Sequence, residues 1–542
     1  MDNLDLADRD RRMAYAPTSP IPSLPESRSD GGRLSDPAAR VWLRAIAIVL
    51  ASTIVRLVIA TLTPVFPDET YYWEWSRPHR LAVGYFDHPP VIAWLIHAGT
   101  IVGGVTPLGV RLVPVLVGGL ATLFLCATAR RLAGNRAALL TAVSFAVMPL
   151  SAAGLILATP DAPMLAGVAA TTYALVRALD QTVRTWRSML WWCIAGIALG
   201  VALLSKYTAV LVPLGVFLAF LLRREQRVHL TDAGPYVATL LALGIFAPVI
   251  QWNAQHHWAS FAFQLQHGFA PARGSILSRE VELIGGQLGL VSPILFVLCT
   301  IAVVDALRSR TIRHAWPVLA TIAAVVFAFF MYSATQRRVE ANWPAIAYVP
   351  AVLLATPWRG SRWSSWFKAG ILLAAILTSV TYVNAFTPIL LSVPARRDPA
   401  ARAAGWDDLA RAVDRIYAPR LAISSHQTFV AAERYQEASE LAFHLPNHPY
   451  AFALNFAGRP NQYDLWPSFP DRAHRRDVLI LVVDESEGVH PTVALLTPHF
   501  ASVQRGEVVA LARNGDVVKR VRIWLLDGWL GTWPERPLRS RT

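Results

Sequence analysis

The chain has 542 residues, 54% of them apolar and only 16% charged, against about 25% charged in a typical soluble domain. Its formal net charge is +14, but the arginines sit in short loops between apolar runs. That placement argues for a membrane and against a nucleic-acid partner. GVTPLG and GGQLG lack the spacing and the Lys-Ser/Thr of a phosphate-cradling loop, so no nucleotide cofactor and no ATP-driven transport is expected.

Residues 1–40 are polar and rich in Pro, Ser, Asp and Arg, without the basic-apolar-cleavage pattern of a signal peptide. They read as a disordered cytoplasmic leader. Apolar runs able to cross a hydrocarbon core of about 30 Å follow near 42–64, 108–129, 136–155, 163–179, 189–205, 207–222, 234–250, 283–303, 316–332, 343–357 and 369–388. These eleven runs predict a polytopic α-helical membrane domain over 41–388. With a cytoplasmic N-terminus, alternate loops collect the basic residues: Arg130, Arg131 and Arg136, then Arg177, Arg184 and Arg187, then Arg223, Arg224 and Arg227. Arg308, Arg310 and Arg313 follow, then Arg359, Arg362 and Lys368. The opposite loops are poorer in Lys and Arg, which places them outside. Arg77, Arg80, Arg337 and Arg338 break that rule and invite a functional reading.

Eleven spans put residues 389–542 outside as well. GWDDLARAVDRIY and VAAERYQEASELAFHL there read as helices, and LAISSH, RRDVLILVVDE and GDVVKRVRIWLL as strands, giving a small extracytoplasmic α/β domain. Cys126, Cys193 and Cys299 lie inside apolar runs and read as packing residues.

The first outer loop, FPDETYYWEWSRPHRLAVGYFDHPP, carries Asp68, Glu69, Asp87 and His88 among aromatic rings. Tyr71 and Tyr85 in it are candidates to line a substrate. TYYWEWS predicts a short helix in the headgroup layer. At its start Asp68 and Glu69 either cap the helix, take a proton from an acceptor hydroxyl, or hold a divalent cation such as Mg or Mn. ATPDAP sets Asp161 in a tight turn, as a turn former or as a second catalytic acid. LLSKYTA puts Lys206 and Tyr207 at the outer end of a span, where an ammonium either anchors to headgroups or binds a phosphate. QWNAQHHWASFAFQLQHG adds His256, His257 and His267 as candidate metal or sugar contacts, although their spacing matches no strong zinc signature. TQRRVEANWP adds Arg337 and Arg338, whose guanidinium forks suit phosphate, with Glu340 and Asn342.

ATP and nucleotide sugars are cytoplasmic, so chemistry on that face needs another donor. A sugar on polyprenyl phosphate fits the residue types present. Lys, Arg or a cation neutralises the leaving phosphate, a carboxylate activates the acceptor hydroxyl, and aromatic rings stack on the sugar.

PDETYYWEWSRPHRLAVGYFDHPPVIAWL, GVRLVPVLVG, TPDAP, LLSKYTAVL, PVIQWNAQHHWASFAFQ and ANWPAIAY together resemble the bacterial PMT_2-type membrane glycosyltransferases over roughly residues 40–390. That broad GT-C family includes relatives of protein O-mannosyltransferases, aminoarabinose transferases and rhizobial lipopolysaccharide galacturonosyltransferases. The resemblance implies a polyprenyl-phosphate sugar donor and an active site at the outer face of the inner membrane, with inversion at the anomeric carbon. The acceptor it implies is an envelope lipid, glycan or protein. It matches the family's acidic first-loop motif to Asp68-Glu69, with Asp68 as first catalytic candidate, and its second acidic position to Asp161. YQEASELAFHL and GRPNQYDLW resemble the outer segment of a bacterial subgroup. The rival class is a transporter or flippase of lipid-linked precursors, which would place polar residues in mid-span; most spans here are apolar there.

Overall fold

The computed structural model describes residues 37–269, 275–309, 315–357, 359–387, 394, 398–423, 426–456 and 458–534. The expected leader therefore lies outside the described residues up to position 36, and Pro37–Arg40 already belong to the first helix.

The membrane part is an α-helical bundle. Among the described residues seven helices are long and apolar enough to cross a bilayer, and up to nine if each of two bent pairs is one span. By length and composition, seven to nine of the expected eleven crossings are thus supported. Helix Pro107–Val147 covers two of the expected runs. Its 41 residues would reach about 60 Å if straight, but Ala133 and Gly134 leave helical geometry, with Gly134 at φ +81°. The run expected at 283–303 is broken where Ile276–Val291 meets Pro293–Arg308 at 104°. Ser292 stands there at φ +78°, its hydroxyl capping Leu295 N and Pro293 opening the next helix. By contrast, the boundary at Ser205-Lys206-Tyr207 falls between Trp186–Leu203 and the helical stretch opening at Tyr207.

Small residues let the helices approach. A Cβ on Gly196 would stand 2.4 Å from the carbonyl oxygen of Ala238, the close packing expected where lipid supplies no hydrophobic drive between helices. Cys126 and Cys299 are buried in this packing.

The C-terminal part holds a five-stranded sheet in the order β2-β1-β3-β5-β4. The strands are β1 (Thr428–Ala432), β2 (Ala451–Ala453), β3 (Val478–Asp484), β4 (Phe500–Arg513) and β5 (Asp516–Trp529). β1 runs parallel to β2 and β3, while β5 is antiparallel to β3 and β4. β3 reads VLILVV because both its faces are covered. Asn514-Gly515, both at positive φ, make the tight turn of the β4–β5 hairpin. LAISSH, expected as a strand, instead begins as the end of helix Trp406–Ile423, and Ser424 and Ser425 lie outside the described residues. The first strand starts later, at Thr428, and takes Val430–Ala432 from the expected helix, which spans Tyr435–His444.

Side chains alternate across the sheet with the two-residue strand period. Ala431, Leu479, Leu481 and Val483 face one core. Val430, Ala432, Ile480, Val482, Val521 and Ile523 face another, and this core also contains Tyr71, Tyr72, Trp73, Trp75 and Tyr85 of the first loop with Ile92 and Ile96 of the helix that follows it, Val91–Gly103. The sheet and the acidic loop are therefore built on one continuous hydrophobic core.

Candidate active site

The first loop folds as the expected helix, Pro67–Ser76, with Pro67 at its first position. Its two adjacent acids part company. Glu69 is fully buried. Its oxygens accept from Arg111 Nε at 2.7 Å and Arg111 Nη2 at 2.6 Å, from Ala158 N at 2.8 Å and from Phe66 N at 3.0 Å. Arg111 in turn donates to the carbonyls of Ala60, Thr63 and Pro64. Glu69 thereby closes the helix N-terminus and ties three segments together. Asp68 stands one residue earlier with a side chain 46% exposed, 3.6 Å from Arg402. Protein donors thus meet both Glu69 oxygens, which leaves Asp68 as the open carboxylate of the pair.

A second cluster joins three of the expected residues. Lys206 Nζ donates to Asp161 Oδ1 at 2.7 Å and Asn342 Nδ2 to Asp161 Oδ2 at 3.2 Å. Lys206 is buried, which favours an ammonium with a bound partner over one anchored in headgroups. Among the described residues Asp161 takes one of its three N–H groups, and an ammonium can donate to a further anion as well. Tyr207 hydrogen-bonds Ser260 at 2.7 Å and packs on Phe246 and Phe261.

Asp87 forms the third cluster. Tyr71 donates to its Oδ2 at 2.5 Å and Arg459 Nη1 to its Oδ1 at 2.7 Å. Burial raises its pKa, against the Arg459 charge and the Tyr71 hydrogen bond, which lower it. The clusters meet at Tyr72. Burial, then the charges of Asp68 and Asp87, then Tyr435 and Asp161, push its phenol well above the usual range. Two carboxylates of the first loop and one from the Asp161 turn thus act on this phenol through their charge.

Other expected residues lie elsewhere. Tyr85 is fully buried, and its hydroxyl binds Ala82 N, Trp75 O and Arg80 O. It supports the loop from within, which corrects the expectation that it lines a substrate. His88 lies against Tyr72, with ring centroids 6.0 Å apart. His256 stacks on Trp252 at 4.1 Å and bonds the carbonyl of the same residue. His257 is exposed, and the side chain of His267 lies outside the described residues. Arg338 pairs with Glu282 on the exposed surface, while Arg337 lies over Trp343. Neither joins the cluster their loop reaches through Asn342. Arg77 and Arg80 are explained as fasteners. Arg77 donates to the carbonyl of His448 at 2.6 Å, and Arg80 pairs with Glu74 beneath Tyr450 and Trp466.

The sheet-side helix Tyr435–His444 docks on the loop helix through Ser439 and Thr70, 3.0 Å apart. Burial raises the Glu440 carboxyl to about 7. Burial lowers the His444 pKa, but hydrogen bonds and charges from Asp407 and Glu440 outweigh it and lift the imidazole to about 9. Both folded pKa values lie above the ordinary ones, so this stabilisation is fully present at low pH and is lost as pH rises through about 7 and 9. The unfolding midpoint should fall between pH 7 and 9.5 in wild type and change less in H444Q; equal slopes would remove His444 from this role.

Sequence reading missed Arg111 and Arg459. Arg111 had a signal, a lone arginine inside the apolar run GVRLVP. Arg459 had only its place in GRPNQYDLW.

The family model for dolichyl-phosphate-mannose-protein mannosyltransferase matches residues 87–252. The chain is 27% identical over 422 residues to the lipid A galacturonosyltransferase RgtD of Rhizobium johnstonii, covering 77% of this chain and 86% of that protein. It is 32% identical over 194 residues to the undecaprenyl phosphate-alpha-4-amino-4-deoxy-L-arabinose arabinosyl transferase of Pseudomonas aeruginosa, covering 34% of this chain and 35% of that protein. The fold matches crystal structures of ArnT from Cupriavidus metallidurans. The apo form gives a TM-score of 0.62 at 17% identity, with 90% of this chain and 98% of that one covered. The form bound to undecaprenyl phosphate gives 0.61 at 16%, with 88% and 97% covered. The chain is thus similar along most of its length to a lipid A galacturonosyltransferase, and it shares its fold with ArnT.

Proposed function

We propose that this multi-pass inner-membrane enzyme transfers a sugar from a polyprenyl-phosphate donor to lipid A or a related envelope glycolipid, at the outer face of the membrane and with inversion. The similarity to an undecaprenyl phosphate-aminoarabinose transferase, and to an ArnT structure bound to undecaprenyl phosphate, supports a polyprenyl-phosphate donor. The finer reading takes a uronosyl donor, because the match to the lipid A galacturonosyltransferase runs along most of both chains. An aminopentose is the second reading, from the shorter arabinosyl transferase match. Eleven crossings remain our proposal for the topology. The break at Ala133–Gly134, the two bent pairs and the short apolar helix Trp343–Ala355 would bring the seven long helices to that number.

The observation that carries the mechanism is the buried Lys206 ammonium held by Asp161, which also accepts from Asn342, while Asp68 of the first loop keeps an open carboxylate. In this reading Asp68 takes the proton of the acceptor hydroxyl as its oxygen attacks the anomeric carbon. The bond from that carbon to the phosphate oxygen breaks, and its electron pair leaves with the phosphate. Lys206, oriented by Asp161, neutralises that charge. Asp161 acts through Lys206, and Glu69 holds the loop in place.

Replacing Lys206 by Ala should raise the donor KM and lower kcat. A lost charge-assisted hydrogen bond of about 1.5–3 kcal/mol corresponds to roughly ten- to hundredfold in kcat/KM, with partial recovery in K206R. Initial rates with undecaprenyl-phosphate-linked galacturonate and aminoarabinose, each with lipid A as acceptor, check this and separate the two donor readings. Unchanged kinetics in K206A would remove Lys206 from phosphate recognition. Turnover of neither donor would return both sugar assignments to question.

A further inference from the structure

The segment around GRPNQYDLW forms a rigid strap across the first loop, and the mechanism above leaves it unused. Asn455 Nδ2 donates to the Arg459 carbonyl at 2.9 Å and to Asp464 Oδ2 at 2.7 Å. Asp464 Oδ2 also accepts from Asn461 N at 2.8 Å, and Asn461 Oδ1 accepts from Tyr463 N at 3.0 Å. A Cβ on Gly458 would stand 2.3 Å from Asn455 Oδ1, so a larger residue there would displace the Asn455 amide. This scaffold points two groups at the loop. Gln462 donates its backbone N–H to the Tyr71 hydroxyl and accepts from Phe86 N, each at 2.7 Å. Arg459 reaches Asp87 with Nη1 at 2.7 Å and the Tyr435 hydroxyl with Nη2 at 2.8 Å. Its guanidinium lies over the rings of Phe263 and Tyr435, about 5 Å from each centroid.

We infer that Arg459 of the C-terminal domain is a positioning residue for the reaction, holding the Asp87 carboxylate in place at the site so that the membrane domain's active centre is complete only when the strap is docked. This rests on the reading of Asp87 as part of that centre. The fork serves two acceptors at once, a geometry that a lysine ammonium reproduces poorly. Asp87 also meets Tyr71 from the loop helix and Gln264, which donates to its backbone carbonyl at 2.5 Å. Asp68 acts on it through space. Asp87 likewise influences Tyr72, Tyr435 and Tyr207. Among these groups the Arg459 charge exerts the largest pull that lowers the Asp87 pKa against the rise caused by burial.

The test uses the full chain in lipid nanodiscs with the two undecaprenyl-phosphate sugars named above, comparing wild type, R459M, R459K, D87N and the remote control R415A, whose native arginine pairs with Glu507 on the exposed surface. Removing the Arg459 charge raises the Asp87 pKa further. The acid limb of the kcat profile in R459M should therefore move to higher pH by about one unit or more, a loss of tenfold or more on that limb that is recovered at high pH. R459K, which keeps the charge, should show a smaller displacement even if R459M does not fold, and R415A none. A D87N enzyme as active as wild type would sink the reading of Asp87. An inactive D87N with an unmoved acid limb in folded R459M or R459K would overturn the role of Arg459. Loss of R459M activity by the same factor at every pH, with a lowered unfolding midpoint, would make Arg459 structural only and would equally overturn it.

Discussion

Replacing Asp68 by Asn is expected to lower kcat by about 10²–10⁴, the usual worth of a positioned general base, while leaving donor KM and thermal unfolding close to wild type. The expectation follows from exposure. The Asp68 side chain is 46% exposed and its ion-pair partner, Arg402, stands at 3.6 Å on an equally open side chain. Little of the fold depends on it. Its carboxylate is free to approach a hydroxyl, and its charge acts with those of Asp87 and Asp161 on the Tyr72 phenol. Initial-rate measurements on purified D68N, with its unfolding midpoint measured beside them, check this. A D68N enzyme within a few-fold of wild type would move the base elsewhere in the cluster.

One residue along the chain the opposite outcome is expected. Replacing Arg111 by Met leaves the Glu69 carboxylate buried without its cation and strips donors from three carbonyls. Removing one partner of a buried pair costs about 3–5 kcal/mol, so R111M should express poorly and unfold well below wild type. E69Q, which keeps the shape but loses the charge, should fall between them. Any loss of transfer in either variant should follow the fraction folded. Unfolding in detergent, followed by tryptophan fluorescence, reads the difference. A loss below about 1 kcal/mol in R111M would show that the lock contributes little.

The contrast between Asp68 and Glu69 marks what the sequence could tell. Both acids stand in the same motif, and nothing local separates them. What separates them is Arg111, 42 positions away, whose long-range contacts no periodicity reveals. The Lys206–Asp161–Asn342 cluster was legible as three polar residues in three loops, because each interrupts an apolar run where a membrane gives it no reason to be. Their meeting at hydrogen-bond distance was not legible. Arg337 and Arg338 misled for the same reason: charge type predicts what a side chain binds, while the direction of a loop decides where it points. In the C-terminal domain VLILVV was readable as a buried strand. The LAISSH stretch was not, because a short apolar segment serves the end of a helix as well as a strand. Asp87 and Arg459 lie 372 positions apart, so the dependence of the loop on the C-terminal domain appears only once the chain is folded.

The claim that most needs a direct measurement is that the three acidic clusters serve glycosyl transfer. Purified protein in proteoliposomes, given undecaprenyl-phosphate-linked galacturonate and lipid A, should release undecaprenyl phosphate in step with formation of a glycosylated lipid A whose anomeric configuration is inverted, and D68N should abolish both. Movement of the lipid-linked sugar across the bilayer without release of undecaprenyl phosphate, at a rate indifferent to D68N, would contradict the account and make the protein a carrier.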